Sequence, residues 1–490
     1  MTLGTRNGVG FLEGMGIRLE GMGQTVTAVV QARGIATEFA NADFDDRRLS
    51  ARLVRIVETL AEHPERSLPA SFKSDDAGLE AAYRFFNNVA VDPDQILEPH
   101  VRATAERCER RDLLLAIHDT TTFGYRAGGK RQGLGPHGPS QQFFAHVSLA
   151  VSGDASHTPL GILAKRTYVR KGDGGDGTES LRWLEQATAV ERLGVDPSRI
   201  VHIEDREGDD YAALSVHVMI GQRFVIRADD DRVLAKLEPN APRTICEALE
   251  GASVQAMREV PISSRSKHGR NPEKRKRHPP RNARLASLHV AATQVRIKRP
   301  HHRHPSMPET CVLNVVHVWE PSPPDGETPV RWVLLTTEPI DAPEQILAIV
   351  DMYRARWRIE ELFKALKTGC AFEQKQLESY EALTNALAIY LPIAWRLLLL
   401  RALARDDPDA PGDSFLEADE WDVLRASVKR PLSSQPTRRE LLLAVAALGG
   451  HLKHNGDPGW QTLARGLEEL LARVEGFRLH RKLRPARDQS

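Results

Sequence analysis

Cysteine, long apolar runs and net charge are all scarce in this chain of 490 residues. Its four cysteines lie far apart without a Cys-x-x-Cys pair, which excludes a zinc ribbon and a disulfide framework and favours a reducing compartment. The N-terminus lacks a basic segment followed by an apolar one, so no signal peptide is predicted. The most apolar stretch, 387–400, contains Pro392 and Arg396 and is shorter than the ~20 residues of a membrane span. We therefore expect a buried helix, no membrane partner and a cytoplasmic protein.

The formal net charge of +1 excludes no function by itself, because nucleic-acid binding depends on local basic surface rather than on the total. We interpret the densest basic stretch as a mobile loop within a β-rich segment. A solvated loop and a loop that contacts phosphate backbone are both compatible with it. Its cationic residues are Arg265, Lys267, Arg270, Lys274, Arg275, Lys276, Arg277, Arg281 and Arg284.

Apolar periodicity divides the chain into helical ends and a mixed centre. From Asp43 to Glu109 the pattern is helical, with one apolar stripe and arginines around it. Apolar strands then alternate with helices, which is typical of a mixed α/β sheet. The predicted strand 113–117 ends just before Asp119, and the predicted strand 200–203 ends just before Glu204 and Asp205. Ligands gather at strand ends in such sheets.

A single long helix is predicted over 343–368. At about 100° per residue, Tyr353, Arg356, Glu360 and Lys367 share a stripe roughly 60° wide. This stripe suits a carboxylate that holds a metal, with cations and a hydroxyl that bind phosphate. A salt-bridged surface helix would carry similar residues, and the helix alone does not decide between the two.

The two strand-end aspartates favour the metal-binding interpretation. A lone aspartate after a strand more often caps a helix or turn. Three carboxylates from two strands and one helix, however, can hold two divalent ions about 3.5–4 Å apart, as phosphodiester chemistry requires.

These residues also carry a resemblance to a known family. The runs His118-Asp119-Thr120-Thr121 and Asp205-Arg206-Glu207, with the spacing Tyr-x2-Arg-x3-Glu-x6-Lys, resemble the DDE transposases of the insertion-sequence-four family, most closely its Tn-five-like members. The resemblance runs from about Asp43 to about Leu403 and fades in the C-terminal helices. His118 departs from it, since the family has an acid there.

The resemblance implies an α/β fold: an RNase-H-like mixed sheet core interrupted by a β-rich insertion, with helical N- and C-terminal domains. The boundaries that we predict are a disordered leader over 1–36, a helical DNA-binding domain over 37–109, the first part of the core over 110–232, the insertion over 233–330, the second part of the core over 331–375, and a helical dimerisation domain over 376–490.

The resemblance also implies a cut-and-paste DNA transposase whose metal ligands are Asp119, Asp205 and Glu360, with two Mg²⁺ ions for which Mn²⁺ can substitute. Phosphate contacts would come from Tyr353, Arg356, Lys367 and Arg227. Trp332 would stack on a flipped base, although its surroundings in the sequence suggest only a buried strand residue. The expected partners are double-stranded DNA and a second copy of the chain, at the nucleoid. The alternatives are a structure-specific nuclease and an inactive, DNA-binding transposase remnant.

Overall fold

The computed structural model describes residues 36, 38–126, 131–137, 140–170, 179–236, 238–262, 264, 279–412, 416, 418–452 and 456–483, and structural statements concern these residues. Most of the predicted leader, 1–35, and most of the predicted basic loop, 265–278, lie outside them. The chain forms two compact units. The first unit contains residues up to Pro99, then Lys364–Gln376 and Asn385–Ser490, and the second contains His100–Phe363 and Leu377–Thr384.

The helices and strands have the following bounds. The described helices are α1 Arg47–Glu62, α2 Leu68–Ser71, α3 Asp76–Phe86, α4 Pro93–Glu109, α5 Glu179–Glu191, α6 Tyr211–Met219, α7 Ile245–Glu250, α8 Pro343–Ala355, α9 Trp357–Lys364, α10 Tyr380–Asp406, α11 Ala418–Ser427, α12 Arg438–Leu448 and α13 Trp460–Leu483. The described strands are β1 Leu114–Arg126, β2 Gly135–His137, β3 Ser140–Ser152, β4 Pro159–Tyr168, β5 Ile200–Glu204, β6 Arg223–Arg227, β7 Ala256–Ile262, β8 Arg284–Lys298, β9 Thr310–Trp319 and β10 Arg331–Thr336.

The first unit is helical, as the sequence predicted for both ends of the chain. Helix α1 buries the expected stripe of Leu53, Ile56, Val57 and Leu60. Its N-terminus is fixed by Asp46, whose side chain accepts the backbone N–H of Arg48. This cap satisfies one of the helix's free N–H groups and sets where α1 begins.

Helix α10 contains the apolar stretch 387–400. Its length and composition would allow it to cross a membrane, but 94% of its most apolar window is buried inside the structure. Burial of Leu387, Trp395 and Leu400 confirms the predicted core helix. An apolar helix of this kind is covered by the protein's own side chains.

The second unit is built on one mixed sheet. Strand β1 lies between β3, which is antiparallel to it, and β5, which is parallel to it. β4 pairs with β3, and β6 runs parallel to β5 on the far side. The order β4-β3-β1-β5-β6 is the mixed arrangement expected of an RNase-H-like core.

The segment predicted as a β-rich insertion, 233–330, is rich in strands in the structure. Its strands β7, β8 and β9 continue the core sheet, because β9 pairs with β10 from Arg331↔Trp319 to Thr336↔Asn314. Pairing covers the backbone groups that an edge strand would leave open, which favours one extended sheet over two small ones. The sheet therefore reaches from β2 to β7 through the core.

Arg284 was predicted in the mobile basic loop, and this was wrong. It is the first residue of β8, and its guanidinium pairs with the carboxylates of Glu320 and Glu327. Its charge is thus paired with carboxylates of the segment between β9 and β10. Arg281 is described but lies outside any strand.

Candidate active site

Asp119 lies within β1 rather than after it. The sequence predicted that the strand ends at Ile117, but pairing with β3 continues from Leu114↔Ser152 to Arg126↔Ser140. Pairing with β5 does stop at Ile117↔Ile203. Asp119 is therefore held by β3 on one side, through Val147, and stands beyond the end of its parallel neighbour on the other.

Asp205 directly follows β5, as predicted. Its side chain accepts the backbone N–H of Glu207 at 2.8 Å and so caps the short 3-10 helix Arg206–Gly208. Asp119 and Asp205 stand at corresponding places, each two residues past the last β1–β5 pair. A turn that caps itself in this way fixes the backbone of Asp205.

Glu360 lies on α9, and the predicted single helix over 343–368 is wrong. Helix α8 ends at Ala355, α9 begins at Trp357, and a π-helical turn follows over Ala365–Gly369. At the junction, the N–H of Arg356 bonds to the carbonyl of Tyr353, three residues back, at 3.1 Å. This tighter turn replaces the regular ladder, and the stripe computed for an ideal helix no longer applies along its full length.

Arg356 joins two of the three predicted metal ligands. Its Nη1 lies 3.0 Å from Asp119 Oδ2, and its Nη2 lies 2.5 Å from Glu360 Oε1. The side chains of Arg356 and Asp119 are each 15% exposed, and that of Glu360 is 29% exposed. The pKa of Arg356 is raised, because the charges of Tyr353, Asp119 and Glu360 outweigh the burial that opposes its charge. Residues 237 positions apart in the sequence thus meet in one ion-pair cluster.

The raised pKa of Asp119 shows that the charge of Asp205 acts on the same cluster. Burial raises the pKa of Asp119 to about 7, and the charge of Asp205 adds to the rise. Arg356 and the N–H of Thr120 oppose this, while Glu360 adds a smaller increase. Three carboxylates therefore act on one another here, and one guanidinium offsets only part of their repulsion.

This donor set fits a hard divalent cation. All three side chains offer carboxylate oxygen, the ligand that Mg²⁺ prefers, and their mutual repulsion would fall on binding a cation. Among the described residues, no three Asp, Glu, His or Cys side chains stand close enough to hold an ion in their present positions. In this structure the Arg356 guanidinium contacts the two carboxylates that would face the ion.

Three of the predicted DNA-contacting residues lie beside this cluster. Tyr353 is buried, which raises its pKa, and the charges of Arg356 and Arg227 partly offset that effect. The ring of Trp332 meets that of Tyr353 edge-on at 5.6 Å. Arg227 ends β6 and donates to the carbonyl of Arg331 at 3.4 Å. Trp332 is only half-buried, so its ring is not the fully enclosed strand residue that its surroundings suggested.

Lys367 is the one predicted contact residue outside the second unit. It lies in the π-helical turn Ala365–Gly369 of the first unit and is partly exposed. The second unit thus brings together Asp119, Asp205, Glu360, Tyr353, Arg356, Arg227 and Trp332.

A group of buried histidines was not indicated by the sequence patterns. His118, His146, His202 and His217 are all essentially inaccessible to solvent. The only signal was a histidine inside each of two apolar strand runs, 113–117 extended by His118 and 200–203 around His202. Which residue each imidazole would meet could not be derived from that.

Models of known protein families match three parts of this chain. Three family models match: transposase DNA-binding over residues 33–91, transposase DDE domain over 221–395, and transposase Tn5 dimerisation domain over 392–486. The chain therefore belongs to the Tn5-like DDE transposases. This assignment is consistent with the predicted resemblance to the insertion-sequence-four family.

The third match corrects one expectation. The resemblance was expected to fade in the C-terminal helices, yet the dimerisation match reaches residue 486. A DNA-binding match and a dimerisation match together support binding to DNA and formation of a dimer. The DDE match contains Glu360, whereas Asp119 and Asp205 precede it.

Proposed function

We propose that this transposase moves its element by a cut-and-paste route, with Asp119, Asp205 and Glu360 as its catalytic carboxylates. The observation that carries the proposal is the ion-pair cluster in which Arg356 bridges Asp119 and Glu360 while Asp205 acts on the same carboxyl. A salt-bridged surface helix would not be joined to a strand of the core sheet, as Arg356 joins Glu360 to Asp119 on β1.

The three carboxylates would hold two Mg²⁺ ions, with Mn²⁺ as a substitute. Bound there, the ions would make an attacking oxygen more nucleophilic and stabilise the leaving oxygen of a phosphodiester. Arg356 would then exchange its carboxylate contacts for a phosphate of the DNA, for which a guanidinium is well suited.

The neighbouring side chains would position the strand. Tyr353, Arg356 and Arg227 would supply hydrogen-bond donors for phosphate oxygens around the scissile bond. Lys367, in the first unit, remains a predicted phosphate contact. Trp332 supplies an aromatic face on which a base flipped from the duplex would stack, a contact worth ~1–3 kcal/mol. Its side chain is partly exposed and lies beside Tyr353.

The reaction would proceed in four stages. Water first nicks one strand at the element's end and frees a 3′-hydroxyl. This hydroxyl attacks the opposite strand and closes a hairpin, which a second water reopens. The 3′-hydroxyl finally attacks target DNA. Each stage forms one P–O bond and breaks another, so no covalent link between enzyme and DNA is needed.

The predicted boundaries assign these tasks along the chain. Residues 37–109 and the basic segment of the insertion would bind the inverted repeats, 110–232 and 331–375 would form the catalytic core, and 376–490 would pair two copies. Such a protein would work on DNA in the cytoplasm, at the nucleoid.

The test uses short duplexes that carry the inverted repeat of the flanking element, with and without Mg²⁺. We expect the native protein to produce a nick and then a hairpin only with the metal, and Glu360→Gln to bind the duplex without cutting it. Glu344→Gln, an exposed acid in the first turn of α8, is the matched control and should cut normally. If native protein and Glu360→Gln both bind and neither cuts with Mg²⁺ or Mn²⁺, the chain is a DNA-binding remnant. Cutting by both would instead overturn the role of Glu360.

A further inference from the structure

A buried line of side chains crosses three strands of the core sheet. Ser148 Oγ on β3 lies 2.7 Å from His118 Nδ1 on β1, and His118 Nε2 lies 2.9 Å from His202 Nδ1 on β5. The two imidazole rings are stacked, with centroids 5.2 Å apart. All three side chains are inaccessible to solvent.

These contacts join each strand to the next whichever ring nitrogen carries the proton. Every imidazole nitrogen can donate or accept, so the hydrogen bonds that link Ser148, His118 and His202 can run in either direction along the line. A carboxylate oxygen of Glu191 lies 3.6 Å from His202 Nε2, at the end of the line.

This line of side chains lies beside the point where the pairing of β1 with β5 ends. The β1–β5 ladder ends at Ile117↔Ile203, so no residue pair of that ladder joins Asp119 to Asp205 two positions further on. The charge of Asp205 acts on Asp119, and like charges repel. The His118–His202 hydrogen bond links the same two strands beside this end and resists their separation.

We propose that His118 and His202 are positioning residues, which hold β1 and β5 at the spacing that Asp119 and Asp205 need in order to share divalent cations. The inference rests on the proposed role of these aspartates as metal ligands. Neither imidazole contacts DNA or metal in this scheme. Each acts through the strand that carries an aspartate, as groups behind metal ligands generally do.

The test compares two nearly isosteric variants, His202→Asn and His202→Leu. The asparagine can place its amide oxygen or nitrogen near the position of Nδ1 and keep a hydrogen bond to His118, whereas leucine cannot. Binding of Mn²⁺ without DNA is measured from the electron paramagnetic resonance signal of the free ion, and thermal midpoints report folding. We expect His202→Leu to weaken Mn²⁺ binding about 10-fold. His202→Asn should stay within about 3-fold of the native protein, at a similar thermal midpoint.

Native affinity in His202→Leu would overturn the inference, and so would equal weakening in both variants with equal loss of thermal midpoint, since that pattern indicates lost packing alone. If His202→Leu does not fold, His202→Ala serves instead, since it also removes the link to His118, and native Mn²⁺ affinity in that variant would overturn the inference. Glu360→Gln separates the two proposals. If native protein and Glu360→Gln bind Mn²⁺ alike, the metal assignment itself fails, and the positioning role fails with it.

Discussion

Arg356 stands between Asp119 and Glu360, and its guanidinium offsets their repulsion in the metal-free protein. Arg356→Gln should therefore lower the free energy of unfolding without metal by about 2 kcal/mol, because it leaves two partly buried carboxylates without a cation. Saturating Mg²⁺ should raise the thermal midpoint more in this variant than in the native protein, because the ion takes over that role.

Arg354→Gln is the matched control, because Arg354 lies on α8 and pairs with Asp351 three residues before it. Its response to Mg²⁺ should equal that of the native protein. An equal response in Arg356→Gln would show that Arg356 does not compensate the charges that the metal compensates.

The carboxyl of Glu65, in the first unit, should make the stability of the protein depend on pH. Burial, followed by the neighbouring Glu468, raises the pKa of Glu65 to about 7, against 4.5 for an ordinary glutamate. The folded state therefore holds this proton more tightly than the unfolded one. Its contribution to stability is present at low pH and is lost as the pH rises from about 4.5 to about 7.

Glu65→Gln keeps an N–H donor for Glu468 and removes this ionisation. Its thermal midpoint should match the native protein at about pH 5 and exceed it at about pH 8 by ~2–4 °C. Differential scanning calorimetry at both pH values measures the difference. A parallel loss of stability with pH in both proteins would contradict the assignment to Glu65.

At the scale of single elements, β8 depends on the buried partners of Arg284. Arg284→Ala leaves the carboxylates of Glu320 and Glu327 without this cation, and we expect a loss of about 3 kcal/mol in the free energy of unfolding by urea. Arg296, exposed on the same strand, is the control, and its change to alanine should cost less than about 0.5 kcal/mol. Equal losses in both variants would show that the ion pairs contribute nothing.

Periodicity predicted most helices and strands but not how they end. Strand β5 matches its predicted range, 200–203, to within one residue, because the apolar run and the acidic residues that follow it agree on where it ends. The prediction for β1 stopped early because polar Thr120 and Thr122 follow Asp119, while the β3 ladder continues past them. The break at Arg356 was missed because the sequence there reads as uninterrupted helix, and a local i−3 hydrogen bond decides it.

At the scale of the whole molecule, a four-residue spacing and two apolar runs, each followed by an aspartate, predicted three carboxylates that the structure brings near one another. The pairing of strands and side chains that are distant in the sequence could not be predicted. Nothing in the sequence showed that β9 would pair with β10 and extend the core sheet, or that His118 would meet His202, 84 residues away. Partners across such distances are chosen by packing, which apolar periodicity does not encode.

Whole-molecule binding to DNA should depend on the basic segment of the insertion. Replacing Lys274, Arg275, Lys276 and Arg277 with serine removes four positive charges. If each contacts a phosphate, the slope of log affinity against log salt concentration should become shallower by about 4. Fluorescence anisotropy with an inverted-repeat duplex measures it, and an unchanged slope would show that the segment is only solvated.

The joint action of the three carboxylates is tested most directly by the rate of first-strand nicking in Asp119→Asn, Asp205→Asn, Glu360→Gln and the Asp119→Asn/Glu360→Gln double variant. Groups that hold the same ions act as a unit, so each single change should lower the rate by at least about 1000-fold and the double variant should be no slower. A single variant that cuts within about 10-fold of the native rate, or losses that multiply in the double variant, would contradict a shared metal site.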